Sequence, residues 1–578
     1  MTPTLADIPI LRDVGAAALR DVEKDARWWS LPAGWRLFGE GEPADALHFV
    51  VSGSMGAFRT RTDGRTDFIG HVRAGEPVGE MALVAGEPHS ASVHALRDTE
   101  LLTLDRGAFR RLIRRHPGLM ENLARTMLLR ARQTRRRSPR ADPRVFALFS
   151  TSPSIELAAL ARQLKAEIEA LGRRCAIVDE AGAGQASAWF DDLERWNDVV
   201  LLITPIADTA WCKICLRQAD RIWILGRSDA RPSTPLLPDD PSPARQFQLV
   251  DVVLLHPGDD RPAAPAIDWI EGCDAARLFH WRMTKPADAA RLARSLAGVS
   301  VGLVMSGGGA RAYAHIGAVR ALREAGMPLD FVGGASMGGV IAACVAMGWD
   351  DAEIERRIWE GFVESNPLAD YVLPVVAMTS GKRVDQRLRY HFGTTRIEDL
   401  ALPFFCVSTN LSAGAVRIHR TGELVGALRG SIALPGILPP RVDGGDVLVD
   451  GAVLNNFPVD VMQELHRGPT IGIDVARQQG INAAEFADPP GFFGWVARNG
   501  LHAAPPIAGL LMRAATVTID PWSQRDRADM LITPTLEDME LRDWKRFDHA
   551  VEAGYRETVA ALQTLRGPLK SLAERRGG

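Results

Sequence analysis

The chain has 578 residues, of which 46% are hydrophobic and 24% charged, with a formal net charge of -3. A single core rarely grows past about 250–300 residues, so this length implies several domains of ordinary soluble composition, and the charge points to no partner class. Six scattered cysteines exclude a disulfide scaffold and fit a reducing cytoplasm, and the opening "MTPTLADIPILRDV" lacks the basic start and apolar stretch of a signal peptide, so a cytoplasmic chain is expected.

From about residue 10 to 115, segments such as "WRLFGEGEPADALHFVVSGSMGAFRT" and "ASVHALRDTELLTL" alternate apolar and polar residues between glycine turns. That pattern predicts antiparallel strands closing a small roll. A helix with a run of arginines follows, then the polar linker "RRRSPRADPR" at 135–144, read as a solvated helix end rather than a nucleic-acid patch because no helix-turn-helix pattern accompanies it.

Between 145 and about 297, "RVFALFS", "CAIVDE", "DVVLLITP", "RIWILG" and "LVDVVLLH" are short β-rich runs, several separated by helical sequence. Such alternation predicts a parallel α/β layer. The turn "STSPSIE" after its first strand has no glycine, so a phosphate cradle is not expected. "WCKIC" places Cys212 and Cys215 at dithiol spacing, but no second pair completes a zinc site and they are expected to be buried as small apolar residues.

A third unit begins at the strand "VGLVMS" (301–306), which runs into Gly307-Gly308-Gly309-Ala310-Arg311. Gly307, Gly309 and Ala312 satisfy a dinucleotide fingerprint, yet the acidic partner Asp330 precedes the next strand instead of ending it. The alternative is a turn whose exposed amides face an anion, and beside an attacking serine that anion is an oxyanion.

"FVGGASMGGVIAACVAMGW" (331–349) carries no charge and is long enough to suggest a membrane span. Its glycines and the absence of an aromatic belt or basic flank argue against one. Gly334-x-Ser336-x-Gly338, between a strand and a helix, instead has the spacing of an elbow that exposes a nucleophile. The serine needs a base. His466, His502 and His549 lie late in the chain, but no loop setting marks any of them. Of the aspartates, Asp450 ends the apolar run Val447-Leu448-Val449 and precedes Asn455, Asn456 and Pro458, whereas Asp443 reads as a turn residue.

A glycine-rich turn, then G-x-S-x-G, then D-G-A resembles the patatin-like phospholipase family, from about Val301 to Val461 and including "RGSIALPGILPP" (429–440). The resemblance implies an α/β fold with a Ser–Asp dyad: Ser336 as nucleophile, Asp450 as base, and an oxyanion hole in the turn Gly307, Gly308, Gly309, Ala310 and Arg311, formed by the amides around Gly308 and Gly309 with Arg311 orienting the loop. Ala312 departs from the glycine usual there. Such a base must be desolvated, with a raised pKa. His315, close by in sequence, is expected to pack under the helix.

The roll resembles a cyclic-nucleotide-binding domain, in which Gly79-Glu80 would hold the ribose. His89 stands where that family has the arginine that pairs with the phosphate, so the resemblance leaves binding of a cyclic nucleotide doubtful. With "CLRQADRIWIL" and "RLARSLAGVSVGLVMSGGGARAYAHIGAVRALREAG", the order of the three parts is similar to a short form of the neuropathy target esterase family.

The expected division is 1–138, 139–297, 298–475 and a helical extension 476–578. The expected partner is a lysophospholipid or phospholipid, with no nucleic acid, metal or cofactor, and the stretch 491–517 is read either as a peripheral membrane contact or as a cap packed beside the active site. A scaffold sensing a ligand through the roll and an acyltransferase using the same dyad remain as alternatives.

Overall fold

The structure, a computed structural model, describes residues 8, 11, 16–60, 66–135, 143–233, 236–237, 248–258, 264–373, 375–476, 524–536, 538–565 and 567. The chain forms two compact units, Met1–Ala297 and Gly298–Gly578. No described helix is long and apolar enough to cross a membrane.

The first unit opens with the predicted roll. Strands β1 (Arg27–Leu31), β2 (Arg36–Phe38), β3 (Ala46–Ser52), β4 (Ser54–Thr60), β5 (Thr66–Arg73), β6 (Pro77–Val78), β7 (Ser92–Ala95) and β8 (Thr99–Asp105) make two four-stranded sheets, ordered β1-β8-β3-β6 and β2-β7-β4-β5. Alternation along β3 and β8 buries Leu47, Phe49, Leu102 and Leu104 in one core with the helix Arg106–Arg115.

A parallel sheet follows, built from β9 (Val145–Ser150), β10 (Cys175–Val178), β11 (Val199–Pro205), β12 (Arg221–Arg227), β13 (Leu249–His256) and β14 (Arg277–Arg282), in the order β10-β11-β9-β12-β13-β14. Sequence patterning identifies only the first five. β14, "RLFHWR", alternates buried and half-buried residues and carries charges, so it does not read as a central strand. Its place is fixed electrostatically, because buried Asp251 on β13 accepts from both Arg221 on β12 and Arg277 on β14. Losing one member of such a buried set leaves a charge uncompensated. Cys212 and Cys215 pack into this layer's core.

The roll joins the layer through a second buried charge. Arg97 pairs with Glu194 and Asp220, Asp98 pairs with Arg217 at 2.9 Å, and the Gly53 amide donates to Asp191.

The second unit is an eight-stranded mixed sheet: β15 (Gly302–Met305), β16 (Phe331–Ala335), β17 (Phe404–Asn410), β18 (Ala415–His419), β19 (Arg441–Asp443), β20 (Asp446–Asp450), β21 (Thr470–Ile473) and β22 (Met530–Ile532). The main path runs β19-β20-β17-β16-β15-β21-β22, with β18 on β17. β22 lies in the stretch expected to be a separate helical extension, and it pairs in parallel with β21. The tail's helix Phe547–Gln563 packs on the helix Ala314–Glu324 that follows the glycine-rich turn. These described parts of the tail therefore complete the fold of the second unit. The apolar stretch 491–517 lies outside the described residues.

The two helices meet at glycines. A β-carbon on Gly554 would collide with the Ala314 carbonyl, and one on Gly317 with the Val551 carbonyl. Gly554→Ala should therefore destabilise the protein by about 1–3 kcal/mol through overpacking, although alanine is favoured over glycine in a helix by about 1 kcal/mol. Urea unfolding checks the sign: a more stable variant would mean the helices do not touch here.

Candidate active site

β17 fixes the geometry of the site. Its Val407 pairs in parallel with Ala335, the last residue of β16, and its next residue, Ser408, pairs antiparallel with Asp450, the last residue of β20. Ser336 follows Ala335 directly, so one strand sets serine and aspartate side by side although 114 residues separate them. The Ser336 hydroxyl donates to Asp450 Oδ2 at 2.7 Å.

Ser336 has φ of +51°, a left-handed conformation costing roughly 1–2 kcal/mol for a residue with a β-carbon. Its amide donates to Ser431 Oγ at 3.0 Å, and the Ser431 hydroxyl donates to the Val407 carbonyl at 2.7 Å. Ser431 is fully buried and thereby ties the elbow to β17. It belongs to the segment "RGSIALPGILPP", but nothing in its own sequence setting marks it. Two residues on, the Ala433 carbonyl accepts the Asp450 amide at 2.9 Å. Glycine is required after the aspartate, since a β-carbon on Gly451 would collide with the Val407 carbonyl.

The glycine-rich turn lies against the serine. A β-carbon on Gly307 would come within 2.5 Å of Asn456 Oδ1 and 2.9 Å of the Ser336 β-carbon. Not all the amides of the turn from Gly307 to Arg311 face outward. The Gly307 amide donates to the Asn456 carbonyl, Ala310 to the Leu541 carbonyl, and Arg311 back to Gly308. Among the described residues, only the Gly308 and Gly309 amides of this turn have no protein acceptor. Asn456 and Leu541 lie far along the chain, where sequence spacing gives no signal. Gly334 and Gly338 face β15, whose Met305 carbonyl would meet a β-carbon on either.

Burial pushes the Asp450 carboxyl up to about 6, against the pull of its bonds from the Ala452 amide and the Ser336 hydroxyl. Asp450 is 1% exposed, while Asp443 is exposed beside the Gly444-Gly445 hairpin turn. No described histidine hydrogen-bonds Ser336 or Asp450. His315 is buried, with Nε2 donating to the Ser306 carbonyl at 2.8 Å, and burial lowers its pKa to about 4. His466 is buried beside Ser300 and Thr470, His549 is exposed near Asp538, and His502 lies outside the described residues. His419 bonds Ser408 at 2.7 Å, but Ser408 is fully buried and closed to a substrate.

In the roll, Gly79 adopts φ of +84° ahead of the short helix Glu80–Ala85, and Glu80 is buried. His89 lies beside Gly79 and stacks flat on Phe38, centroids 3.6 Å apart. Burial lowers its pKa, so the ring is neutral at pH 7. In the α/β layer, the turn after β9 ends at Glu156, whose carboxylate would oppose a phosphate at the start of the helix Leu157–Ala170.

Three family models match the chain: a cyclic nucleotide-binding domain over residues 28–116, the neuropathy target esterase (NTE) family P-loop like domain over 156–300, and patatin-like phospholipase over 303–462. An NTE family protein of Mycobacterium tuberculosis is 31% identical, over 97% of this chain and 96% of its own length. The human patatin-like phospholipase domain-containing protein 6 is 26% identical over 93% of this chain, which spans 44% of that relative's length. The mouse domain-containing protein 7 is 26% identical over 97% of this chain and 47% of its own length.

Asp450 also carries a stability consequence. An acid whose pKa is about 6 when folded and 3.8 as a free group holds more protons in the native state between those values. Its contribution is neutral below pH 3.8, and it becomes a destabilisation on the order of 3 kcal/mol once pH has risen past 6. Asp450→Asn should therefore raise the thermal midpoint at pH 8 and lose that gain towards pH 4. Calorimetric melts across this range check it, and a lowered midpoint at pH 8 would contradict a desolvated carboxylate.

Proposed function

The chain belongs to the NTE family, and on that premise we propose that it is a serine hydrolase of lipid acyl esters, acting on lysophospholipids and phospholipids through Ser336 and Asp450. The observation that carries this reading is the 2.7 Å bond from an elbow serine to a buried aspartate of raised pKa. Ser336 is partly exposed, so an ester can reach it, and Asp450 behind it is not.

The chemistry follows from that arrangement. Ser336 Oγ attacks the acyl carbonyl carbon as Asp450 Oδ2 takes the hydroxyl proton. The carbonyl oxygen becomes an oxyanion opposite the Gly308 and Gly309 amides. Collapse of the tetrahedral species expels the alcohol of the glycerol backbone, which takes the proton from Asp450. Asp450 then removes a proton from water, whose oxygen attacks the acyl-enzyme. The acid leaves and Ser336 recovers its proton. No second base is needed, because the same carboxylate serves both halves.

The alternative of a scaffold with an inert hydrolase domain is disfavoured by the complete constellation around Ser336. A roll that senses a cyclic nucleotide is disfavoured by His89, which offers no fixed positive charge and is packed on Phe38.

Fatty-acid release from lysophosphatidylcholine tests the reading. Ser336→Ala and Asp450→Asn should each lower kcat by about 10³-fold or more, while Asp443→Asn should stay within about threefold of wild type. Full activity in Ser336→Ala would overturn the proposal. The kcat/KM profile should fall as pH drops through about 6, where Asp450 takes up its proton. Calorimetric titration with cyclic AMP should give no saturable heat, and a saturable isotherm would restore the roll as a sensor.

A further inference from the structure

The second unit carries an apolar tip that no described residue covers. Val372, Leu373, Val375 and Val376 are 46%, 87%, 92% and 65% exposed. Scattered exposed aliphatics are ordinary on a soluble protein, but four within five positions at one loop tip are not. The loop's base is firmly held. Tyr371 and Thr379 form a bridge, the Val372 amide donates to Met378, and Ala377 is buried. Met378 and Thr379 donate to the Gly436 and Ile437 carbonyls, within the segment whose Ser431 holds the elbow. On the other side, Arg542 donates to the Tyr371 hydroxyl at 2.9 Å.

Directly beside the tip is a basic helix, Lys382–Phe392. Asp370 Oδ2 accepts from the Ser380 hydroxyl and the Arg383 amide, which binds the loop's stem to the helix's first turn. At 100° per residue, Lys382, Arg383, Arg387, Arg389 and Tyr390 fall on one face, and Val384, Leu388 and Phe392 on the buried one. Among the described residues, none of these four cations has an ion-pair partner, and the helix's one carboxylate, Asp385, pairs with Arg429.

We infer that this loop tip and the basic face beside it form a docking surface for an anionic lipid membrane. The aliphatic side chains enter the acyl boundary, Tyr390 lies at the headgroup level, and the cations meet the anionic headgroups. The inference deepens the lipid-ester reading of Ser336 and rests on it for its purpose. The loop's stem leads through residues 436–437 to Ser431, so the docked face and the elbow belong to one hydrogen-bonded assembly.

Co-sedimentation tests this with full-length Ser336→Ala protein, which cannot turn the lipid over. The probes are vesicles of phosphatidylcholine alone and with about one-third phosphatidylglycerol. The protein should sediment with the anionic vesicles, and adding Leu373→Asp with Val375→Asp should lower its partition by about tenfold or more. Lys382→Glu with Arg383→Glu should abolish the preference for anionic over neutral vesicles, and raising salt from ~0.1 to ~0.5 M should weaken it in the parent. Both pairs replace surface side chains, so unchanged melting temperatures exclude unfolding as the cause. The inference is overturned if the parent stays in the supernatant or if the aspartate pair sediments as well as the parent. It is equally overturned if sedimentation velocity without lipid shows a dimer that the aspartate pair dissociates, because the tip is then a self-association face. These readouts involve no turnover, so they stay distinct from loss of the hydrolase reading, which lysophosphatidylcholine hydrolysis by wild type decides.

Discussion

The bond between Ser336 and Asp450 depends on β17, which belongs to neither residue's own segment. Val407 and Ser408 are consecutive, and the first aligns the end of the serine's strand while the second aligns the end of the aspartate's. β16 leaves the sheet where β20 takes over, so the gap between the two strand ends is the site. Ser431 and Ala433 add a third constraint, one holding the Ser336 amide and the other the Asp450 amide. A strained serine and a buried carboxylate are each unfavourable, and they persist only where the surroundings over-determine them. Here the surroundings are a central strand with all seven residues buried.

The parts of the site that depend on local chemistry were legible in the sequence. An elbow needs small residues around its serine, and a glycine-rich turn needs glycines; both requirements are written at the positions themselves. Asp450 could be told from Asp443 because an apolar run leads into it. The parts that depend on distant partners were not legible. Whether an amide in the turn is free depends on Asn456 and Leu541, which take the Gly307 and Ala310 amides and leave the expected pair, Gly308 and Gly309, without a described protein acceptor. Ser431 gave no sign of its role, because its partners are a backbone amide and a carbonyl on other elements. Nothing in "FFCVSTN", β-rich as it is, marks β17 as central, since its importance lies in what it pairs with. β14 was lost for another reason: its charges suit a buried ion pair with Asp251, which periodicity does not register.

The roll keeps the fold of a cyclic nucleotide-binding domain, and on the proposed reading its ligand chemistry differs. Its strands, the turn at Gly79 and the buried Glu80 follow the pattern of a nucleotide-binding roll. At His89, where the resemblance puts the arginine that pairs with the phosphate, a neutral imidazole lies flat on Phe38, whereas a guanidinium would need to point outward to make two parallel bonds. The same part of the chain does hold a strongly paired arginine, Arg97, but its partners are Glu194 and Asp220 of the α/β layer. Removing either carboxylate would leave the buried cation undercompensated. Arg97 thus serves the attachment of the roll to the layer.

On the proposed chemistry, the same desolvation that destabilises Asp450 makes it useful. A solvated aspartate, with a pKa near 3.9, has little appetite for a serine proton at neutral pH. Burial brings it to about 6, close enough to the working range to accept a proton in the transition state and give it up afterwards. The two hydrogen bonds that Asp450 receives oppose that rise, so its base strength is a balance between few donors and no water. Since Asp450 is already buried, an acyl chain over Ser336 has little water left to remove from it, and on this chemistry the strength of the base is set by the fold itself.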